Sequence, residues 1–210
     1  CGSDGGRHLD GRRGIAEGGC SIPGCCRRSA RPSRVVVHRR ERLVDDFFKL
    51  DATEYSFERF DGTMSAPVRR LVLERGDSVA ALLVDGDDVW LVEQFRIATH
   101  ARGPGWITEL VAGVVPPGET AEQALRREVA EETGFALGQI EAIGSFYLSP
   151  GGSSERVHLY LAQVDGRAGP GGGDGSVGED IRVVRYSRAQ LRAMSAIERC
   201  RTAALGGHVE

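Results

Sequence analysis

One segment narrows the possible folds more than any other: Thr120 to Gly134, which reads TAEQALRREVAEETG. Thr120 with Gln123 three residues on has the spacing of a capping box, and Gly134 supplies a stop, so a helix is predicted between them. On that helix Glu128, Glu131 and Glu132 fall within an arc of roughly 100°. Purely solubilising charge would lie opposite the apolar residues, yet Ala121, Ala124 and Leu125 project into the same sector or its border. Carboxylates turned partly inward repel one another and lose hydration. They call for a compensating cation, and an oxygen-rich set suits Mg2+ or Mn2+. The spacing by itself leaves two readings open, a solvated face and a metal-holding one.

Strands surround this helix. VVVHRRERLVDD, FFKLDATEYSFERF and PVRRLVLERG are β-branched or aromatic stretches with partial alternation, the last two parted by the turn-like DGTMSAP. SVAALLVDGDDVWLVEQFR reads as a hairpin turned at Asp85 to Asp88, and WITELVAG as one further strand. Beyond the helix, QIEAIGSFYLSPGG and ERVHLYLAQVD read as strands, followed by a loop from Gly166 to Gly178 with seven glycines. That loop is either a linker or a mobile active-site element. The short strand DIRVVRYS and a final helix from about Arg188 to Ala204 complete the pattern, an α/β chain with a mixed, mostly antiparallel sheet.

The chain has 210 residues, 40% hydrophobic and 27% charged, enough for one main domain. Its net charge of −3 is uneven, because residues 1–34 hold seven arginines against Asp4, Asp10 and Glu17 and leave about −7 for the remainder. An acidic body argues against nucleic acid as its main partner. The Gly/Arg/Ser-rich segment 1–34 is expected to be a disordered leader, and its opening on Cys1 reads as processing or truncation. Cys1, Cys20, Cys25, Cys26 and Cys200 match no zinc pattern and read as reduced, incidental thiols. No run approaches the ~18 to 20 apolar residues of a membrane span, so no membrane partner and a cytoplasmic location are expected.

Extended to GVVPPGETAEQALRREVAEETGF, the helical segment resembles a complete box of the Nudix hydrolase family: Gly113, Glu119, Arg127, Glu128, Val129, Glu131, Glu132, Gly134 and Phe135 all fall at the family's spacing. The resemblance implies the Nudix fold, a mixed sheet sandwiched between helices, and hydrolysis of nucleoside diphosphates linked to another moiety. The pyrophosphate of such a substrate brings about two negative charges that bare carboxylates would repel; Mg2+ or Mn2+ between them turns repulsion into a clamp and lowers the pKa of a bound water. The same resemblance implies Glu128 and Glu132 as metal ligands with the carbonyl of Ala112, and Glu131 as a third ligand or a water-orienting group. It makes Glu119 and Arg127 a structural pair, lets Gly113 bring its loop close to the metal, and leaves Gly134 structural.

Features outside the box bear on the substrate. Pro150, fifteen residues past the box in SPGGSSE, is similar to the marker of ADP-ribose pyrophosphatases, and Ser149, Gly151, Gly152 and Glu155 extend the match. FFKL, VRRLVLERG and VEQFRIATH resemble corresponding segments of the same enzymes, so the resemblance runs from about Val35 to Leu205. It implies that Phe47 stacks on adenine from a partner subunit, that Arg70 contacts the nucleotide, and that Arg96 binds pyrophosphate oxygens, as an aromatic ring and guanidinium groups can. GDP-mannose hydrolases share the scaffold, and FRIATH, YLSPGG and the GGG loop resemble them nearly as well. Both groups imply a homodimer with exchanged N-terminal strands, formed here by residues 35–76 ahead of a hydrolase domain at 77–210. A non-catalytic ADP-ribose sensor would be expected to carry an eroded box, and an RNA-decapping relative a basic groove.

The sequence departs from the family where a catalytic base is expected. Relatives carry a dense acidic run before the strand DIRVV, whereas GDGSVGED places Val177 and Gly178 at two of those positions. Glu179, Asp174 and Glu131 are the carboxylates left to accept a proton, and Glu179, next to an ordered strand, loses least entropy in doing so.

Overall fold

The computed structural model describes residues 34–173, 175 and 178–194. The leader up to residue 33, all five cysteines, Asp174, Val177 and the expected last helix beyond residue 194 lie outside the described residues.

Three strands, β1 (Val35–Asp45), β2 (Lys49–Phe57) and β3 (Val68–Glu74), form an antiparallel sheet of their own in the order β1-β2-β3. The main sheet follows: β4 (Asp77–Asp85), β5 (Asp88–Phe95), the single helical turn α1 (Ile97–His100), β6 (Trp106–Glu109), β7 (Val111–Val114), helix α2 (Ala121–Thr133), β8 (Phe135–Tyr147), β9 (Arg156–Arg167) and β10 (Ile181–Ser187). Its strand order is β10-β5-β4-β9-β8, with β6 on β5 and β7 on β4; only β4 and β9 run parallel. A mixed, mostly antiparallel sheet with an N-terminal strand group is therefore present as expected.

The expected single strand WITELVAG divides in two. The β4–β5 hairpin pairs only near its turn, from Leu83↔Trp90 to Asp85↔Asp88. Beyond that the two strands splay, and β6 pairs along β5 while β7 pairs along β4, so the chain breaks step at Leu110 between them. This splay puts the end of β5 with β6 on one arm and the glycine of β7 with β4 on the other.

Helix α2 covers the sheet. Ala124, Leu125 and Val129 are fully buried against Val79, Ala81, Leu83, Val92 and Val111. Burying Leu125 or Val129 contributes about 1.5–3 kcal/mol each. Residues 188–194 begin the expected last helix. The two sheets are joined by the Ser149–Glu155 loop: Leu73 donates its amide to Gly152 (2.8 Å), and Ser154 donates back to Leu73 (3.0 Å).

Candidate active site

Local sequence fixes both ends of α2. The Thr120 hydroxyl accepts from the Gln123 amide (3.2 Å) and the Gln123 side chain accepts from the Thr120 amide (2.9 Å), closing the capping box. Gly134 ends the helix in the left-handed region at φ 72°, and a side chain there would collide with the carbonyl of Gly169.

Between these caps the three glutamates share a face but not an environment. Glu132 is 5% exposed, and its Oε2 is buried without a hydrogen-bond partner among the described residues. Burial, reinforced by the negative charges of Glu128 and Glu179, pushes its carboxyl up to about 8, although Arg96 pulls the other way. Glu128 is also raised, chiefly by burial and against the opposing pull of Arg127. A buried carboxylate with an idle oxygen is costly, and here it stands near the negative end of the α2 dipole with no basic residue in the helix's last turn. Such a group is stable when neutral or when a cation answers it.

Gly113 of β7 completes the cradle. A Cβ at this position would overlap the Glu128 carboxyl group, so only glycine lets the strand approach so closely. Next to it on β7, Ala112 pairs with Ala80. The donor set, a buried and a half-buried carboxylate with an orphaned oxygen and a bare backbone beside them, fits a hard divalent cation. Among the described residues no three acidic, His or Cys side chains already stand as a coordinating group. The side chain of Arg127 lies against this cluster. Its Nη1 donates to Glu128 Oε1 (2.9 Å) and to Glu131 Oε2 (3.0 Å), while its Nε reaches Glu119 Oε2 (3.4 Å). Arg127 thus reaches Glu119 on one side and two carboxylates of the cluster on the other.

On the other side of the splay, Arg96 follows β5. Its Nε donates to Glu109 Oε1 (2.8 Å), with Nη2 at 2.6 Å from the same oxygen. Glu109, at the end of β6, adds to the negative charge felt by Glu132 and had drawn no attention in the sequence. Its signal was only a lone acid in an otherwise apolar strand. The structure thus gathers Glu128, Glu131, Glu132, Arg127, Glu119, Gly113, Arg96 and Glu179 around one opening.

The remaining candidates lie elsewhere. Phe47 is 83% exposed in the β1–β2 turn, edge-on to Phe48 at 4.8 Å. Arg70 is exposed on β3 opposite Thr53. Pro150 is exposed in the loop that joins the sheets. Glu155 accepts from the Ser78 hydroxyl (3.2 Å) and pairs with Arg75 (3.7 Å).

Comparison with known proteins adds four findings. The NUDIX domain model matches residues 74–204. The chain is 39% identical over 160 residues to the ADP-ribose pyrophosphatase of Escherichia coli strain K12, covering 74% of this chain and 77% of that protein. It is 32% identical over 166 residues to the GDP-mannose pyrophosphatase of Pectobacterium atrosepticum, covering 77% and 85%. A crystal structure of an ADP compounds hydrolase superposes with a TM-score of 0.60 at 17% identity, over 78% of this chain and 83% of the other, a likeness of fold.

Proposed function

This chain belongs to the NUDIX family, and from that premise we propose that it hydrolyses the pyrophosphate bond of ADP-ribose, giving AMP and ribose 5-phosphate. The observation that carries the reading is the buried Glu132 and half-buried Glu128 beside Gly113, with one Glu132 oxygen unanswered by any donor among the described residues. Glu128, Glu132 and the Ala112 carbonyl would hold Mg2+ or Mn2+, with Glu131 alongside. When bound, that ion supplies positive charge to the phosphoryl oxygens and acidifies a water.

The chain's own residues do the rest. Arg96, steered by Glu109, offers its guanidinium to the pyrophosphate oxygens. Glu179 accepts the proton of the attacking water as a P–O bond of the bridge breaks, with Glu131 orienting that water. Glu119, Arg127, Gly113 and Gly134 keep loop and helix in place. Phe47 stacks on the adenine, and Arg70, Pro150 and Glu155 complete substrate recognition. GDP-mannose is the competing substrate, and the higher identity to the ADP-ribose enzyme favours ADP-ribose.

Residues 35–76 serve dimerisation by exchange of their strands between two copies, ahead of a hydrolase domain at 77–210. This is supported by a separate three-stranded sheet whose β1 is exposed along its whole length and carries Val35, Val36, Val37, Leu43 and Val44 on the surface. The functional test is incubation with Mg2+ or Mn2+ and ADP-ribose, GDP-mannose, UDP-glucose or capped RNA, with identification of products. AMP and ribose 5-phosphate are expected; turnover of GDP-mannose alone, or of nothing in the panel, refutes the proposal.

A further inference from the structure

The glycine run after β9 is anchored to the helix that carries the carboxylates. Gly172 and Gly173 donate their amides to the carbonyls of Glu132 (2.9 Å) and Glu131 (3.0 Å), and Ala168 and Gly169 donate to the carbonyl of Gly134 (2.8 and 3.2 Å). These are carbonyls that a helix end leaves without partners, so the loop serves as the C-terminal cap of α2. Gly171 makes the contact close: a Cβ there would stand 2.5 Å from the carbonyl carbon of Thr133 and 2.8 Å from the Gly134 amide.

Gly173 faces something else. A Cβ on it would lie 2.6 Å from Glu179 Oε2 and 2.9 Å from its Cδ and Cγ. Its neighbour Gly172 has nearly the same φ, +101° against +102°, yet among the described residues a Cβ on Gly172 would meet nothing within 4 Å. The bare Cα of Gly173 is thus the surface against which the Glu179 carboxylate rests, and that surface is hydrogen-bonded to the backbone of Glu131. Through this contact Glu179 is indexed to the end of α2.

We propose that Gly173 is a positioning residue: tied to the end of α2, it leaves the volume in which the Glu179 carboxylate is held toward Glu128 and Glu132. Its effect on turnover rests on the reading of Glu179 as proton acceptor; its effect on packing does not. Glycine at this position then serves a contact as well as its positive φ, and a side chain there would displace the Glu179 carboxylate.

The matched pair of glycines provides the test. G172A and G173A both place alanine at a φ near +100°, and only G173A adds the collision with Glu179, so G172A is the calibration. Both are made in the wild-type chain and in E179A, and each is assayed for ADP-ribose hydrolysis with Mg2+ and for its urea midpoint. In the wild-type chain G173A is expected to lower kcat by about 10-fold to 100-fold relative to G172A, the scale of a reacting group misplaced by an ångström, with KM within about threefold. In E179A the two substitutions should become equal in both kcat and midpoint, because the carboxylate they distinguish is gone. G173A matching G172A in the wild-type chain, or a G173A penalty that persists undiminished in E179A, overturns the proposal. If E179A keeps most of its turnover, the proton-acceptor reading falls, and the urea midpoints alone decide whether Glu179 rests on Gly173.

Discussion

Glu132 makes the stability of the metal-free protein depend on pH in a direction opposite to most carboxylates. Its carboxyl ionises at about 8 in the fold against 4.5 for an ordinary glutamate, with burial as the main cause and Glu128 and Glu179 adding to it. A raised folded pKa means that the stabilising contribution is complete below the unfolded value and is lost as pH rises through the folded one. Between pH 5.5 and 8.5 the unfolded chain ionises this group freely while the folded chain must surrender a proton into a buried site, a penalty that grows by roughly 3 kcal/mol. Glu128, raised by its burial, acts in the same direction. Asp51, Asp61 and Asp77 are held low by hydrogen bonds from Arg42, Thr63 and Arg156, so their contributions are lost only on acidification and leave this window alone. The assay is urea unfolding in EDTA at the two pH values. At an m-value of about 1–3 kcal/mol/M the midpoint should fall by about 1–3 M at pH 8.5. E132Q, neutral at both, should remove most of that fall, and Mg2+ at pH 8.5 should raise the wild-type midpoint far more than that of E132Q. A wild-type midpoint that does not move, or a fall that survives in E132Q, refutes the reasoning.

The same cluster predicts that E128Q and E132Q lose most Mg2+-dependent turnover while keeping the wild-type circular dichroism spectrum at pH 6, with retained activity in both speaking against a metal role. T120A removes the side-chain half of the capping box and should cost about 1 kcal/mol in urea unfolding. Light scattering should give a particle of about twice the 22.6 kDa chain, and a fully active monomer would remove the case for composite sites. F47A should weaken ADP-ribose binding by roughly 1–3 kcal/mol in calorimetry if the exposed ring stacks on adenine, and leave it unchanged if it does not.

What the sequence revealed about this chain was local, and what it hid was long-range. Helix α2 was legible from Thr120, Gln123 and Gly134 because each of those residues acts within four positions of itself. The inward turn of Glu128 and Glu132 was legible from the neighbouring alanines and leucine for the same reason. WITELVAG was misjudged because alternation reports that a segment is extended, not which strand it pairs with, and here its two halves answer to opposite arms of a splayed hairpin. The start of β8 at Phe135, directly after the helix stop, was missed because Phe135 pairs with Arg167 on a distant strand. Glu109 escaped notice because its importance arises only when β6 brings it to Arg96, and the wider grip of Arg127 escaped because a brace to Glu119 already explained it.

The glycine loop carries this furthest. Composition allowed a linker or an active-site element, since glycine is equally at home in both, and nothing within the loop distinguishes them. Its contacts do, made to the end of α2 some forty positions away or to Glu179. A linker would tolerate alanine wherever there is space, whereas these contacts make neighbouring glycines unequal: Gly172 faces solvent, Gly171 the helix backbone and Gly173 a carboxylate. Function is therefore encoded in which glycine stands where, a distinction that exists only after the chain has folded.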